Sequence, residues 1–111
     1  MTLKDDILSS DDLATKQIHA WGQVFYIREL KASELAKIQS YESGSVKQVA
    51  AFIVAAAVDE NGAQIFQWSD IDKLCQKRFQ TLVEVAEQIV LFNGLGADSD
   101  AEGNSEMISN D

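Results

Sequence analysis

Lys16-Gln17-Ile18-His19-Ala20-Trp21-Gly22-Gln23-Val24-Phe25-Tyr26-Ile27-Arg28 differs in character from the rest of the chain. Ile18, Trp21, Val24, Phe25, Tyr26 and Ile27 are the β-branched and aromatic types that suit a pleated, half-buried surface, and Gly22 interrupts them. A two-residue turn at Gly22-Gln23, with the glycine supplying the positive φ of a type II′ turn, predicts a hairpin over 16–30. That register sets Trp21 opposite Val24, Ala20 opposite Phe25, His19 opposite Tyr26 and Ile18 opposite Ile27. One face then carries Ile18, Ala20, Phe25 and Ile27, all apolar. The other carries Gln17, His19, Trp21, Val24, Tyr26 and Arg28, a mixed set. An isolated hairpin is marginal in water, so the apolar face must lie on helices.

The flanking sequence supplies them. Towards the N-terminus, 1–15 holds a short helix at 3–8 whose Leu3, Ile7 and Leu8 can dock onto the domain, then the turn-like Ser9-Ser10-Asp11-Asp12. Towards the C-terminus, Ser33 is the expected N-cap of a helix over 33–41 with Leu35 and Ile38 inward. Ser43-Gly44-Ser45 breaks it. The next helix, over 46–58, is apolar nearly all round and therefore central to the core. Asp59-Glu60-Asn61-Gly62 reads as a turn, and Ile65, Phe66 and Trp68 as a short extended segment. Ser69 is expected to cap a helix over 70–77, with Asp70 and Asp72 complementing its dipole. In the last helix, over 78–93, Phe79, Leu82, Val83, Ala86, Ile89 and Val90 repeat at helical spacing, and Asn93-Gly94 ends it. The small, polar, acidic stretch 96–111 has no periodicity and is expected to be disordered. The fold class is mainly α with a small N-terminal β-hairpin (α+β): about four helices packed on the hairpin over 16–95.

Composition agrees with one such domain. The 111 residues are 46% apolar and contain no proline, which favours helix. Cys75 is the only cysteine, so no internal disulfide or multi-cysteine metal site is available. Met1-Thr2-Leu3-Lys4-Asp5-Asp6 lacks the basic and apolar regions of a signal peptide, and no apolar run is long enough to span a bilayer, so a cytoplasmic setting without membrane contact is expected. The net charge is −9, but it is unevenly placed. Asp5, Asp6, Asp11 and Asp12 face only Lys4 at one end; Asp98, Asp100, Glu102, Glu106 and Asp111 face no base at the other. The eight bases and nine acids of 13–94 nearly cancel. No basic stripe exists to hold a phosphate backbone, which argues against nucleic acid.

No residue pattern points to catalysis. His19, the only histidine, has no cysteine or serine partner at a recognisable spacing, and Cys75 sits inside a helical pattern as an inert thiol. No Gly-x-Ser-x-Gly turn or phosphate-cradling glycine loop occurs. If Gly62 held the sixth position of a calcium loop, Ala57 and Trp68 would fall at the first and twelfth positions, where carboxylates are required. Asp59 and Glu60 sit in an exposed turn, and Asp70 and Asp72 at a helix start; nothing there desolvates a catalytic acid. No catalytic residue, metal ligand or cofactor is expected.

Several segments, in order, resemble the tail assembly chaperones of long-tailed phages and prophages. Trp21-Gly22-Gln23-Val24-Phe25-Tyr26-Ile27-Arg28-Glu29-Leu30 is similar to the family's tryptophan-glycine hairpin leading into "R-E-L", followed by a helix opened by Ala32-Ser33-Glu34. Ala56-Ala57-Val58-Asp59-Glu60-Asn61-Gly62, Ile65-Phe66 and Ser69-Asp70-Ile71-Asp72-Lys73-Leu74 continue it. Leu91-Phe92-Asn93-Gly94-Leu95 is similar to the closing "L-N-G-L", with Phe92 where leucine or arginine is usual. Together these segments span 21–95. Each is a weak motif alone; order and spacing carry the specificity.

The resemblance implies a protein of the host bacterial cytoplasm, not expected in the mature virion. It would bind the tape measure protein, keep that protein soluble, and help recruit tail tube subunits as the major tail protein polymerises. In many relatives a ribosomal frameshift adds a C-terminal extension that contacts the tube protein, and here 96–111 is where one would begin. On the residues themselves, Trp21, Val24, Tyr26 and Arg28 on the mixed hairpin face form a candidate partner contact, since aromatic and arginine anchors are typical of interfaces. Alternatively Trp21 and Tyr26 pack against the N-terminal segment or against 66–68. The apolar 46–58 helix, incompletely covered by so small a chain, also points to homo-oligomers. A competing reading is a small acidic adaptor or inhibitor that occupies a basic surface of its partner.

Overall fold

The computed structural model describes residues 2–10 and 12–95; the expected tail at 96–111 lies outside them. The chain forms five α-helices and a three-stranded antiparallel sheet that begins with the N-terminal hairpin, so the α+β reading holds. Strands β1 (Thr15–Ala20) and β2 (Gln23–Arg28) pair with Ile18 opposite Phe25 and His19 opposite Val24. The turn is therefore Trp21-Gly22, not Gly22-Gln23. Trp21 at φ 53° and Gly22 at φ 69° give the two left-handed residues of a type I′ turn, whose twist matches the strands. Moving the turn by one residue shifts the pairing by two, so the side chains of the strands stay on their expected faces, while Trp21 passes from the mixed strand face into the turn. Ile18, Phe25 and Ile27 are buried accordingly.

Helix α1 (Leu3–Ser9) is closed by a capping box between Thr2 and Asp5, but it buries no residue. The expected docking of Leu3, Ile7 and Leu8 does not occur. Helix α2 (Ala32–Gln39) starts after Lys31, not at Ser33. Glu34 decides this, because its Oε1 accepts the Lys31 N–H at 2.9 Å, the back-reaching half of a capping box. Helix α3 (Val46–Ala56) is capped by Ser45, whose hydroxyl accepts the Gln48 N–H at 3.1 Å. It ends short of 58, since Ala57–Val58 leave the helix as strand β3 and pair with Ile27 and Tyr26. The Gln64 side chain donates to the freed Val54 carbonyl at 2.9 Å. A 3₁₀ turn, Trp68–Asp70, replaces the expected extension of Trp68. Asp70 closes it by accepting the Gln67 N–H at 2.9 Å. Helix α4 (Ile71–Leu74) follows directly and is shorter than the predicted 70–77.

Helix α5 (Phe79–Phe92) packs chiefly along α3. Its buried residues are Leu82, Val85, Ala86 and Ile89, so the inward face is turned towards Val85 from the predicted stripe. Phe79 is 61% exposed, and Val83 and Val90 are half-buried. The seam against α3 takes positions spaced three, four and seven apart, and the first turn of α5 falls outside it. Ala50, Ala51, Ala55 and Ala56 of α3 are wholly buried, and their small side chains allow close neighbours. One copy of the chain buries most of α3 but leaves Val46 exposed and Val49 and Phe52 half-buried.

The C-terminal end of α5 ties the layers together. Gly94, at φ 69°, lets its N–H reach Leu91 O at 3.0 Å and the Leu95 N–H reach Val90 O at 2.9 Å, a Schellman ending. Asn93 donates to Ile89 O at 2.9 Å and accepts the Leu30 N–H at 2.7 Å, so α5 is pinned to the link between β2 and α2. Asn93→Ala leaves that N–H without its partner and is expected to cost about 2 kcal/mol. A thermal melt should register a loss of roughly 10 °C.

Candidate partner-binding groove

Strand β3 is two residues long and covers only Tyr26 and Ile27. Beyond it the chain turns sharply. Asp59 Oδ1 accepts the N–H groups of Asn61 and Ala63 at 2.8 and 2.9 Å, and Gly62 takes φ +82°. Among the described residues, no strand besides β1 therefore stands opposite the first half of β2. The Glu29 N–H bonds to Ala14 O at 2.9 Å, marking a closely paired position just ahead of β1. By the antiparallel alternation, the backbone groups of Val24 then point away from β1, towards the open side.

A groove of about 660 Å³ lies along this open side. Trp21, Val24, Phe25 and Tyr26 form its hairpin wall, and Ile65, Phe66 and Leu74 the opposite wall. Asp59, Glu60 and Lys77 are the charged groups lining it. Val24 and Ile65 are 53% and 43% exposed, so apolar surface reaches solvent here. Trp21 stacks on Phe25 with ring centroids 6.2 Å apart and planes 16° from parallel. Its indole Nε1 is buried without a hydrogen-bond partner among the described residues. A bulky residue at positive φ is strained by about 1–2 kcal/mol.

Trp21, Val24 and Tyr26 of the candidate set thus share one groove, together with Phe66. Arg28 does not line it. Its guanidinium makes a two-pronged pair with Glu34, at 2.9 and 2.6 Å, and also donates to Glu29 O at 3.0 Å. Burial pushes the Glu34 carboxyl up, but the Arg28 hydrogen bond, the Lys31 N–H and the two positive charges outweigh it and hold the carboxyl below its ordinary range. Arg28 therefore fixes the start of α2 to the end of β2. Phe66 beside Trp21 and Tyr26 matches the alternative of packing against 66–68, whereas Ile65 and Leu74 had no sequence signal, because their meeting with the hairpin depends on where β3 stops.

His19 is exposed on β1, and Cys75 is a half-buried free thiol. Among the described residues no group of three metal-ligating side chains comes together, and no helix is long and apolar enough to cross a membrane.

The segments that carried the family resemblance prove to be joints of the fold. The Arg28-Glu29-Leu30 stretch supplies the Glu34 pair, a Glu29 Oε1 contact to the Ala14 N–H at 2.8 Å, and the Leu30 bond to Asn93. The architecture is similar to a solved structure of the bacteriophage HK97 tail assembly chaperone, with a TM-score of 0.55 and 10% sequence identity, covering 78% of this chain and 96% of that one. At that identity the likeness is one of fold. No family model matches the chain, and no curated protein matches it.

Proposed function

We propose that this protein is a phage or prophage tail assembly chaperone working in the host cytoplasm. It binds the tape measure protein, keeps it soluble and helps to bring tail tube subunits to it. The observation that carries the reading is the fold shared with the HK97 chaperone over nearly the whole of that protein. The open apolar groove beside Trp21, Val24 and Tyr26 supports it physically. A long helical partner presents apolar side chains at intervals of three and four residues, and a groove of this kind takes them by excluding water. Arg28 serves this contact by holding the frame of β2 and α2.

Co-expression with the neighbouring tape measure protein tests the proposal. That protein is expected to become soluble and to co-purify with this chain. If it stays insoluble and no complex forms, the reading is wrong. Trp21→Asn locates the contact, because asparagine accepts the left-handed turn position and keeps the hairpin while removing the indole wall. The variant is expected to fold and to bind at least tenfold more weakly, as loss of an aromatic anchor does. Full-strength binding by a folded Trp21→Asn would move the contact elsewhere on the surface.

A further inference from the structure

The chain contains two Asn-Gly pairs, Asn61-Gly62 and Asn93-Gly94. In such a pair the glycine nitrogen has no Cβ beside it, so it can attack the carbonyl carbon of the asparagine side chain. By sequence the two pairs are alike. Their settings in the fold differ.

The side-chain amide of Asn93 is tied through both of its polar atoms. Nδ2 donates to Ile89 O at 2.9 Å, and Oδ1 accepts the Leu30 N–H at 2.7 Å. The attacking nitrogen is held as well, since the Gly94 N–H donates to Leu91 O at 3.0 Å. Bringing Gly94 N onto Asn93 Cγ breaks the end of α5 and its pin to the β2–α2 link together, a costly opening. Asn61 stands in the turn after β3, where 59–63 are all exposed. Its backbone N–H is held by Asp59 Oδ1 at 2.8 Å, but its side-chain amide makes no hydrogen bond among the described residues. A single bond restrains Gly62 N, to Asp59 O at 2.9 Å. Opening that bond disturbs no core contact and costs little.

We infer that Asn61 is a site of spontaneous deamidation in the folded chain, whereas the fold protects Asn93. Gly62 N forms a bond to Asn61 Cγ and gives up its proton; the Cγ–Nδ2 bond breaks, and Nδ2 leaves as ammonia. Water then opens the five-membered imide at either carbonyl, giving aspartate or isoaspartate. Water is the only co-reactant. Either product carries a carboxylate that is ionised at neutral pH, next to Asp59 and Glu60 on the rim of the groove. Isoaspartate also inserts a methylene into the backbone of the turn that stops β3. The inference is independent of the chaperone reading.

Incubation of the full chain at mildly alkaline pH, folded and in urea, followed by peptide mapping in a mass spectrometer, provides the test. In the folded chain Asn61 is expected to convert more than about tenfold faster than Asn93, a ratio set by the extra cost of opening at Asn93. In urea each asparagine is simply followed by glycine, and the two rates should come within about threefold of each other. Equal rates in the folded chain would overturn the inference. So would an Asn61 that stays intact in the folded chain while the denatured chain converts both.

Discussion

Ile53→Ala is expected to lower stability by about 3 kcal/mol, because it removes a buried branched side chain that its surroundings cannot replace. Ile53 is 0% exposed, within the single cluster that joins α3, the hairpin, α4 and α5. On its own face of α3 the residues three apart are Ala50 and Ala56, both wholly buried already. Their side chains are too short to fill the space without moving the backbone. The cavity should therefore persist, and the destabilisation should include both the lost transfer energy and the void. For a domain of this size the melting temperature should fall by roughly 12–24 °C. Phe79→Ala is the control. Phe79 is larger than Ile53, but it is 61% exposed, and its loss should change stability by no more than about 0.5 kcal/mol. If the two variants melted alike, the inward face of α5 would have been misassigned.

The Arg28–Glu34 pair gives the second large effect, and a pH signature with it. Their side chains are only 12% and 17% exposed, and the shorter contact is 2.6 Å. Glu34→Gln leaves Arg28 without its counter-charge and weakens the reach to the Lys31 N–H. A cost of about 2 kcal/mol at neutral pH is expected, below the range for fully buried pairs because both groups keep some solvent. The sign of the pH effect follows from the lowered carboxyl of Glu34. Its stabilisation is complete above the ordinary glutamate range and is lost as pH falls through the lowered folded value. Denaturant midpoints of wild type and Glu34→Gln should therefore differ most at neutral pH and converge in acid, beneath the ordinary glutamate range. A gap that stayed constant on acidification would show that the pair acts through packing alone.

Side-chain periodicity and turn chemistry made much of this architecture readable. The alternation of Ile18, Phe25 and Ile27 with polar neighbours placed the buried face of the hairpin, and the error in turn position left that face intact because pleat parity absorbs a shift of two. The core status of α3 followed from apolar residues all round it, and the end of α5 from Asn93-Gly94. The faults cluster where a side chain from elsewhere captures a backbone group. Glu34 moved the start of α2, and Asp70 drew Trp68 into a 3₁₀ turn. Pairing with β2 took Ala57 and Val58 from the end of α3. The apolar run gave no sign of that pairing, since a helix and a strand bury alanine and valine equally well.

The candidate site was half legible. Val24 and Tyr26 stand out as apolar and aromatic residues on a polar strand face, set together by periodicity, and Trp21 joins their groove from the turn. Of their opposite wall only Phe66 was in view, as part of 66–68, while Ile65 and Leu74 do not stand out, and the role of Arg28 changes once Glu34 is seen beside it. From sequence alone came the class of fold, the buried helix, the hairpin and the ordered motifs that resemble those of tail assembly chaperones, all set by patterns within a few residues. Only the tertiary structure decided that β3 stops after Val58, that a groove opens there, and that α1 stands uncovered. Those depend on which distant groups satisfy one another's hydrogen bonds and surfaces, and no local spacing encodes that.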